Sequence, residues 1–251
     1  MKIVKIVSIF FILFSLMSLT ATENKKLTLV TCEWAPFYSS QLENQGFFSE
    51  IVRESFKNVD YDVDFTFTDW DVAMDLAAKN SYNGLHGAYY SEERELLFNY
   101  SYPIYSVKTV FLAKRELNLN YDSNLENLRN RRIGISKGYA YTDEFDNSEL
   151  FVKVEAGGPK QLLDLLFADE VDVIVVQADV AQQIIIKKYI TRVGEIEALG
   201  PSLTENKLYV AISREYPNHK MVVNDFNRGF EKLVNSGRYI ELTKEIIKVK
   251  K

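Results

Sequence analysis

Between Leu27 and Ala88 the apolar residues change period in a fixed order, and that order limits the fold more than any other feature of the chain. Residues 27–31 alternate and are β-prone, which predicts a first strand. Gly46 precedes residues 48–58, where Ile51, Val52 and Phe56 fall on one helical face. Val63, Phe65 and Phe67 alternate again as a second strand. Asp69 is an N-cap residue for a helix from Trp70 to about Ala78, with Val72, Ala73 and Leu76 pointing inward. Residues 84–88 give a third strand. This order predicts an α/β fold with a parallel sheet and right-handed crossovers. Ligands of such sheets lie beyond the carboxyl ends of the strands, where Trp34, Trp70 and the stretch from His86 to Arg94 fall. Pro36 keeps residues 33–38 out of a central strand and makes them a loop at one such end.

A second unit begins near Ser106. It reads as a strand over 107–113, a capped helical turn over 124–128, and a strand over 131–138 that runs into a glycine-bearing loop. Residues 159–168 are helical, residues 172–176 (Asp-Val-Ile-Val-Val) form a fully buried strand, and a helix follows from Ala178 to about Lys188. Gly200-Pro201-Ser202 interrupts the pattern before a β-prone run over 208–213. Helices over about 219–235 and 239–248, divided by Ser236-Gly237, close the chain.

The N-terminus carries Lys2 and Lys5, an apolar run over 6–19 and small residues around Ala21, which is the pattern of a cleaved export signal over 1–21. That run is shorter than the ~20 residues of a membrane-spanning helix. Cys32 is the only cysteine, so no internal disulfide is possible. The formal charge of −5 argues against nucleic acid or an anionic membrane surface as the main partner. With two histidines and one cysteine no metal-ligand cluster is evident, and no cofactor is expected.

The sequence Tyr90-Ser91-Glu92-Glu93-Arg94, followed by Phe98-Asn99-Tyr100-Ser101-Tyr102-Pro103-Ile104-Tyr105, places an arginine just past a strand end. Its rigid fork suits a carboxylate or phosphate, although an arginine paired with Glu92 or Glu93 on an acidic surface turn would look the same. The block resembles the bacterial extracellular solute-binding proteins, family 3, in which a Thr/Ser-x-x-Arg element precedes a Phe-Ser-x-Pro-Tyr-like segment. The resemblance extends to the Leu125-x-x-Leu128 to Gly138 segment, to Gly157-Gly158 through Gln177, and to Asn235-Ser236-Gly237-Arg238-Tyr239. It implies a two-lobed periplasmic-binding-protein fold of type II-like architecture with the ligand cleft between the lobes. The first lobe would comprise 22–105 and 208–251 and the second 106–207, with crossovers near 105–108 and 200–207.

By the same resemblance Arg94 clamps the ligand's α-carboxylate and Trp34 lies over the ligand. Trp70 reads either as a pocket wall or as core packing. Gly138 with Tyr139, Ala140 and Tyr141 offers backbone N–H groups at a helix start, an anion site. His86 and Tyr89 replace small hydroxyl residues of the family, and His86 either donates to the ligand or fills the pocket. Gln177 is the informative departure, because the family carries an acidic residue there for the ligand's α-ammonium. Glu33 could substitute as the counter-charge, as could Asp179, which looks more like a helix-start residue; otherwise a ligand with a carboxylate but a modified, masked or absent amino group is expected. The implied function is capture of a small amino-acid-like solute in the periplasm by a monomer that delivers it to an inner-membrane ABC permease. A cyclohexadienyl or arogenate dehydratase-like enzyme, with Glu33 as general acid beside Arg94, is the alternative on the same fold. A sensory or orphan binder without a transporter is another. Paired carboxylates in matching loops and a nucleophile motif are missing, so a binder, not an enzyme, is expected.

Overall fold

The computed structural model describes residues 25–244, so the export signal and its cleavage site lie outside the described residues. The first half runs β1 (Lys25–Thr31), α1 (Phe47–Lys57), β2 (Tyr61–Phe67), α2 (Trp70–Ala78), β3 (Gly84–Tyr89), α3 (Glu92–Glu95) and β4 (Phe98–Tyr100). It is followed by β5 (Tyr105–Lys114), β6 (Arg132–Ser136), α4 (Asp143–Asp146), β7 (Val152–Ala156), α5 (Pro159–Phe167), β8 (Val173–Gln177) and α6 (Ala178–Lys188). The described residues end with β9 (Ile196–Ala198), β10 (Thr204–Ser213), α7 (His219–Asn235) and α8 (Arg238–Lys244).

Among the described residues the strands form one ten-stranded sheet in the order β2-β1-β3-β10-β5-β8-β6-β7, with β4 on β10 and β9 on β5. The parallel pairing expected from the sequence holds within each half: β1 with β2 and β3, and β6 with β7 and β8. The middle differs. There β10 runs antiparallel to both β3 and β5, and β5 runs antiparallel to β8. The reason is chain return: β10 comes back from the second half alongside β5, which led into it.

Among the described residues, alternation along the strands sets four buried cores. Leu27 and Leu29 of β1 face α1 and α7, where they meet Ile51, Phe56 and Phe226, while Val30 faces Ala73 and Ala77 of α2. In α2 the buried face is these two small residues, four apart; Val72, expected inward, is exposed. In β8 every side chain is buried because both faces are covered. Ile174 and Val176 meet the leucines of α5 and residues of α6, and Val173 and Val175 meet Phe111, Phe145 and Phe151.

Helices α1 and α7 approach so closely that a Cβ on Gly229 would lie 1.9 Å from the Ser55 carbonyl oxygen. Gly229 also accepts a hydrogen bond from the Asn58 side chain at 3.1 Å, so the pair cannot spread without losing it. Gly229→Ala is expected to cost about 3 kcal/mol by overpacking. Urea unfolding should show that loss, and a variant as stable as the parent would mean that the interface yields freely.

Candidate functional site

The loop after β1 is pinned by backbone bonds in both directions between Trp34 and Tyr38, at 2.8 and 3.1 Å. The half-buried Trp34 ring is thereby held against Phe37, with ring centroids 4.9 Å apart, and edge-on to Tyr89 at 5.6 Å and 84°. Glu33 turns back into its own loop, where its carboxylate accepts from the Ser40 backbone N–H at 2.9 Å and from the Ser40 hydroxyl at 2.5 Å. Partial burial pushes its pKa up, but the bonds from Ser39 and Ser40 outweigh that and leave it below the ordinary glutamate value. An acid held in its ionised form is poorly suited to donate a proton.

Gly87 shapes the next strand. Between Tyr209 and Val210 the register of β10 on β3 shifts, so that Ala88 and His86 are partners of successive residues and Gly87 is the extra one. Its φ of 79° favours glycine, and a Cβ there would lie 2.4 Å from the Tyr38 ring. The bulge turns Tyr89 onto the face that His86 occupies, and so toward Trp34. His86 itself does not reach the cleft. It is fully buried, stacked on Phe65 at 4.1 Å, with Nε2 3.0 Å from the Ser49 hydroxyl. It packs in the core of the first half, among Phe65, Phe48 and Tyr38.

After β3, the Ser91 hydroxyl caps α3 by accepting from the Arg94 backbone N–H at 3.2 Å, which sends the arginine side chain back toward the strand. One guanidinium nitrogen donates to the Tyr89 carbonyl at 3.1 Å, and the group lies 5.3 Å from the centre of the Trp70 ring. Among the described residues, neither Glu92 nor Glu93 forms an ion pair with it. Trp70 is thus the support on which the arginine rests. Asp69, at the N-cap position of α2, makes no side-chain cap bond. It lines, with Cys32, Glu33, Phe67, Thr68 and Trp70, a recess of about 400 Å³ at the carboxyl ends of β1 and β2.

The second half contributes from two strand ends. Past β6, the Tyr139 and Tyr141 rings stand 5.0 Å apart at 52°, and the Tyr141 hydroxyl accepts from the Ser136 backbone N–H at 2.9 Å. The Gln177 side chain is buried at the end of β8, where it partly offsets the upward push that burial gives the Tyr139 phenol. Burial, and then the Tyr139 phenol, pushes the Tyr89 hydroxyl above its ordinary pKa. Contacts run continuously from Trp70 through Arg94 and Tyr89 to Trp34 on one side, and Tyr139 lies against Tyr141 on the other.

The anion site expected at Gly138 is not formed as anticipated. The Tyr139 N–H is taken by the Ser136 carbonyl and the Tyr141 N–H by the Asp146 carboxylate. The helix begins only at Asp143, capped by the Thr142 hydroxyl, and its first turn is acidic. Gly138 is instead an exposed turn residue with φ 72°. Two contributors escaped the sequence reading. Burial pushes the carboxyl of Asp179 in α6 above its ordinary pKa, and the Tyr105 phenol, where β5 begins, partly offsets that. Thr68 and Asp69 line the recess, and their place directly after the alternating β2 run was the signal available for them.

Residues 27–248 match the family described as bacterial extracellular solute-binding proteins, family 3. No curated protein matches the chain in sequence. Among solved structures, substrate binding domain 2 of Lactococcus lactis GlnP in its open conformation aligns with a TM-score of 0.69 and 16% identity, covering 91% of this chain and 98% of that one. The amino acid ABC transporter substrate-binding protein AbpA of Streptococcus pneumoniae Canada MDR_19A, bound to L-arginine, aligns at 0.62 and 17% identity, with coverages of 88% and 94%. A histidine kinase sensor domain with similarity to periplasmic binding proteins aligns at 0.65 and 19% identity, with coverages of 90% and 97%. At these identities the likeness is one of fold, the two-lobed binding-protein fold.

Proposed function

The chain belongs to the bacterial extracellular solute-binding proteins, family 3, and from that premise we propose that it captures a small carboxylate-bearing solute, an amino acid or a close relative, for an ABC-type importer of the inner membrane. The observation that carries this reading is the setting of Arg94. Its guanidinium is oriented by the Tyr89 carbonyl and braced on Trp70, while Tyr139 and Gln177 stand at strand ends of the other half. A fork fixed in that way favours a planar, two-oxygen anion over a point charge. Residues 22–105 with 208–251 form one lobe and 106–207 the other, and the solute lies between them. The protein acts in the periplasm as a monomer, after removal of residues 1–21, and is a binder rather than an enzyme. The ionised state of Glu33 supports the last point, since the dehydratase-like alternative needs it as an acid.

Recognition groups on both lobes make the closed state the tight one. A thermal-shift screen of amino acids and small carboxylates against the mature protein identifies the binder, because ligand that binds only the folded form raises the melting temperature. With that ligand, solution scattering is expected to show a smaller radius of gyration at saturation. An unchanged radius would leave a site confined to one lobe.

A further inference from the structure

We propose that the solute carries a cation at the far end of an alkyl stem from its carboxylate, and that the recess beside Trp70 receives that end with Asp69 as its counter-charge. This rests on the carboxylate-clamp reading of Arg94 and names the group at the other end of the same solute.

Asp69 carries the inference. An aspartate at a helix N-cap ordinarily turns its carboxylate onto the N–H groups of the first turn. At the head of α2 it does not: the Asp69 carbonyl accepts from the Ala73 N–H at 2.9 Å, and the side chain makes no cap bond. Among the described residues the carboxylate has no ion pair either, although the Arg94 guanidinium lies 5.3 Å from the ring centre of the next residue, Trp70. Asp69 and Arg94 therefore adjoin one indole without pairing. Each is left to the opposite charge of a solute that reaches both.

The rest of the recess suits a cation on a stem. Its lining residues, among those described, include no lysine, arginine or histidine. Glu33 stays ionised through its bonds from Ser39 and Ser40, so it adds negative charge to the wall while its oxygens remain tied to the loop. Phe67 and Trp70 offer apolar surface to methylene groups and ring faces to a cation. The volume of about 400 Å³ exceeds what an ammonium alone would fill and leaves room for the stem that carries it. A solute with an apolar end would cover the Asp69 carboxylate without satisfying it, a cost that an ammonium or guanidinium removes.

Calorimetry on two matched pairs tests this: 5-aminopentanoate against hexanoate, and lysine against norleucine. Both members of a pair have the carboxylate, and the second lacks the terminal ammonium. The charged member is expected to bind at least thirtyfold more tightly in one pair or both, the pairs differing in the α-ammonium. Asp69→Asn is expected to shrink that preference at least tenfold, and its urea unfolding should match the parent, since no cap bond is lost. Equal affinities within both pairs, no binding by either charged member, or a preference that survives Asp69→Asn would overturn the proposal. Norleucine or hexanoate binding as tightly as its charged counterpart would still leave a carboxylate-binding protein. Pentylamine, which keeps the cation and lacks the carboxylate, reads the clamp separately. If it matches 5-aminopentanoate, or if Arg94→Ala binds the charged solutes as the parent does, the clamp reading beneath the proposal falls.

Discussion

Arg94→Ala is expected to weaken binding of the carboxylate ligand at least a hundredfold while the protein still folds. Hydrogen bonds to a charged partner contribute roughly 1.5–3 kcal/mol each, and the variant also strands the ligand carboxylate inside a closed cleft. A loss of about 3 kcal/mol or more corresponds to two decades or more in Kd. The fold should survive because the side chain is only half-buried and its hydrogen bond goes to the Tyr89 carbonyl. Arg94→Lys should fail almost as badly. An ammonium offers no planar fork, and it cannot lie flat over Trp70 while also reaching the Tyr89 carbonyl. Calorimetry on the three proteins is sufficient, and near-normal affinity in the alanine variant would reduce Arg94 to a surface cation.

The second large effect is one of pH on stability. His86 is fully buried among Phe65, Phe48 and Tyr38, and its Nδ1 has no hydrogen-bond partner. Burial, aided by the nearby Arg53 cation, lowers its pKa to about 3. In the unfolded chain the value is about 6.5. Above that pH the ring is neutral in both states and pH has no leverage through it. Below it, the unfolded chain binds a proton that the folded protein refuses. Stability is therefore fully present above about pH 6.5 and is lost as pH falls toward 3, by roughly 2 kcal/mol at pH 5 and 4–5 kcal/mol at pH 3. Urea unfolding of the parent and of His86→Leu between pH 7 and 4 tests this. The variant loses packing at every pH, but its acid limb should be flatter; Ser49 keeps its bond to the Gln45 carbonyl. Equal slopes for the two proteins would mean that His86 takes up its proton without unfolding.

The period changes that gave β1, α1, β2, α2 and β3 were legible because each element buries one face, and β8 because it buries both. Strands β4 and β9 were not, having three residues each, and β7 buries only Ala156, which leaves no alternation to read. Arg94 was legible as a candidate, since a fork after a strand end is a chemical signal. Its support was not: that Trp70 braces the guanidinium depends on how two strand ends sit side by side. His86 and Tyr89 show the same limit. Strict alternation places them on opposite faces, and only the extra residue at Gly87 brings Tyr89 round to the face of Trp34 while His86 stays in the core. A glycine inside a strand is the sequence mark of such a bulge, but which neighbour it redirects is decided by the partner strand.

The place of β10 in the sheet also governs when the molecule can be completed during synthesis. β3 pairs with β10 rather than with β5, and α7 packs on α1, so the core around Leu29 and Phe56 draws on residues made last. The cores around Ile174 and Phe111 draw on one contiguous stretch of chain, from Val110 to Leu199. Closing the first core means spanning that entire stretch, and contacts so distant in sequence form late because the loop entropy precedes their reward. The half that leaves the ribosome first is therefore the half that finishes folding last.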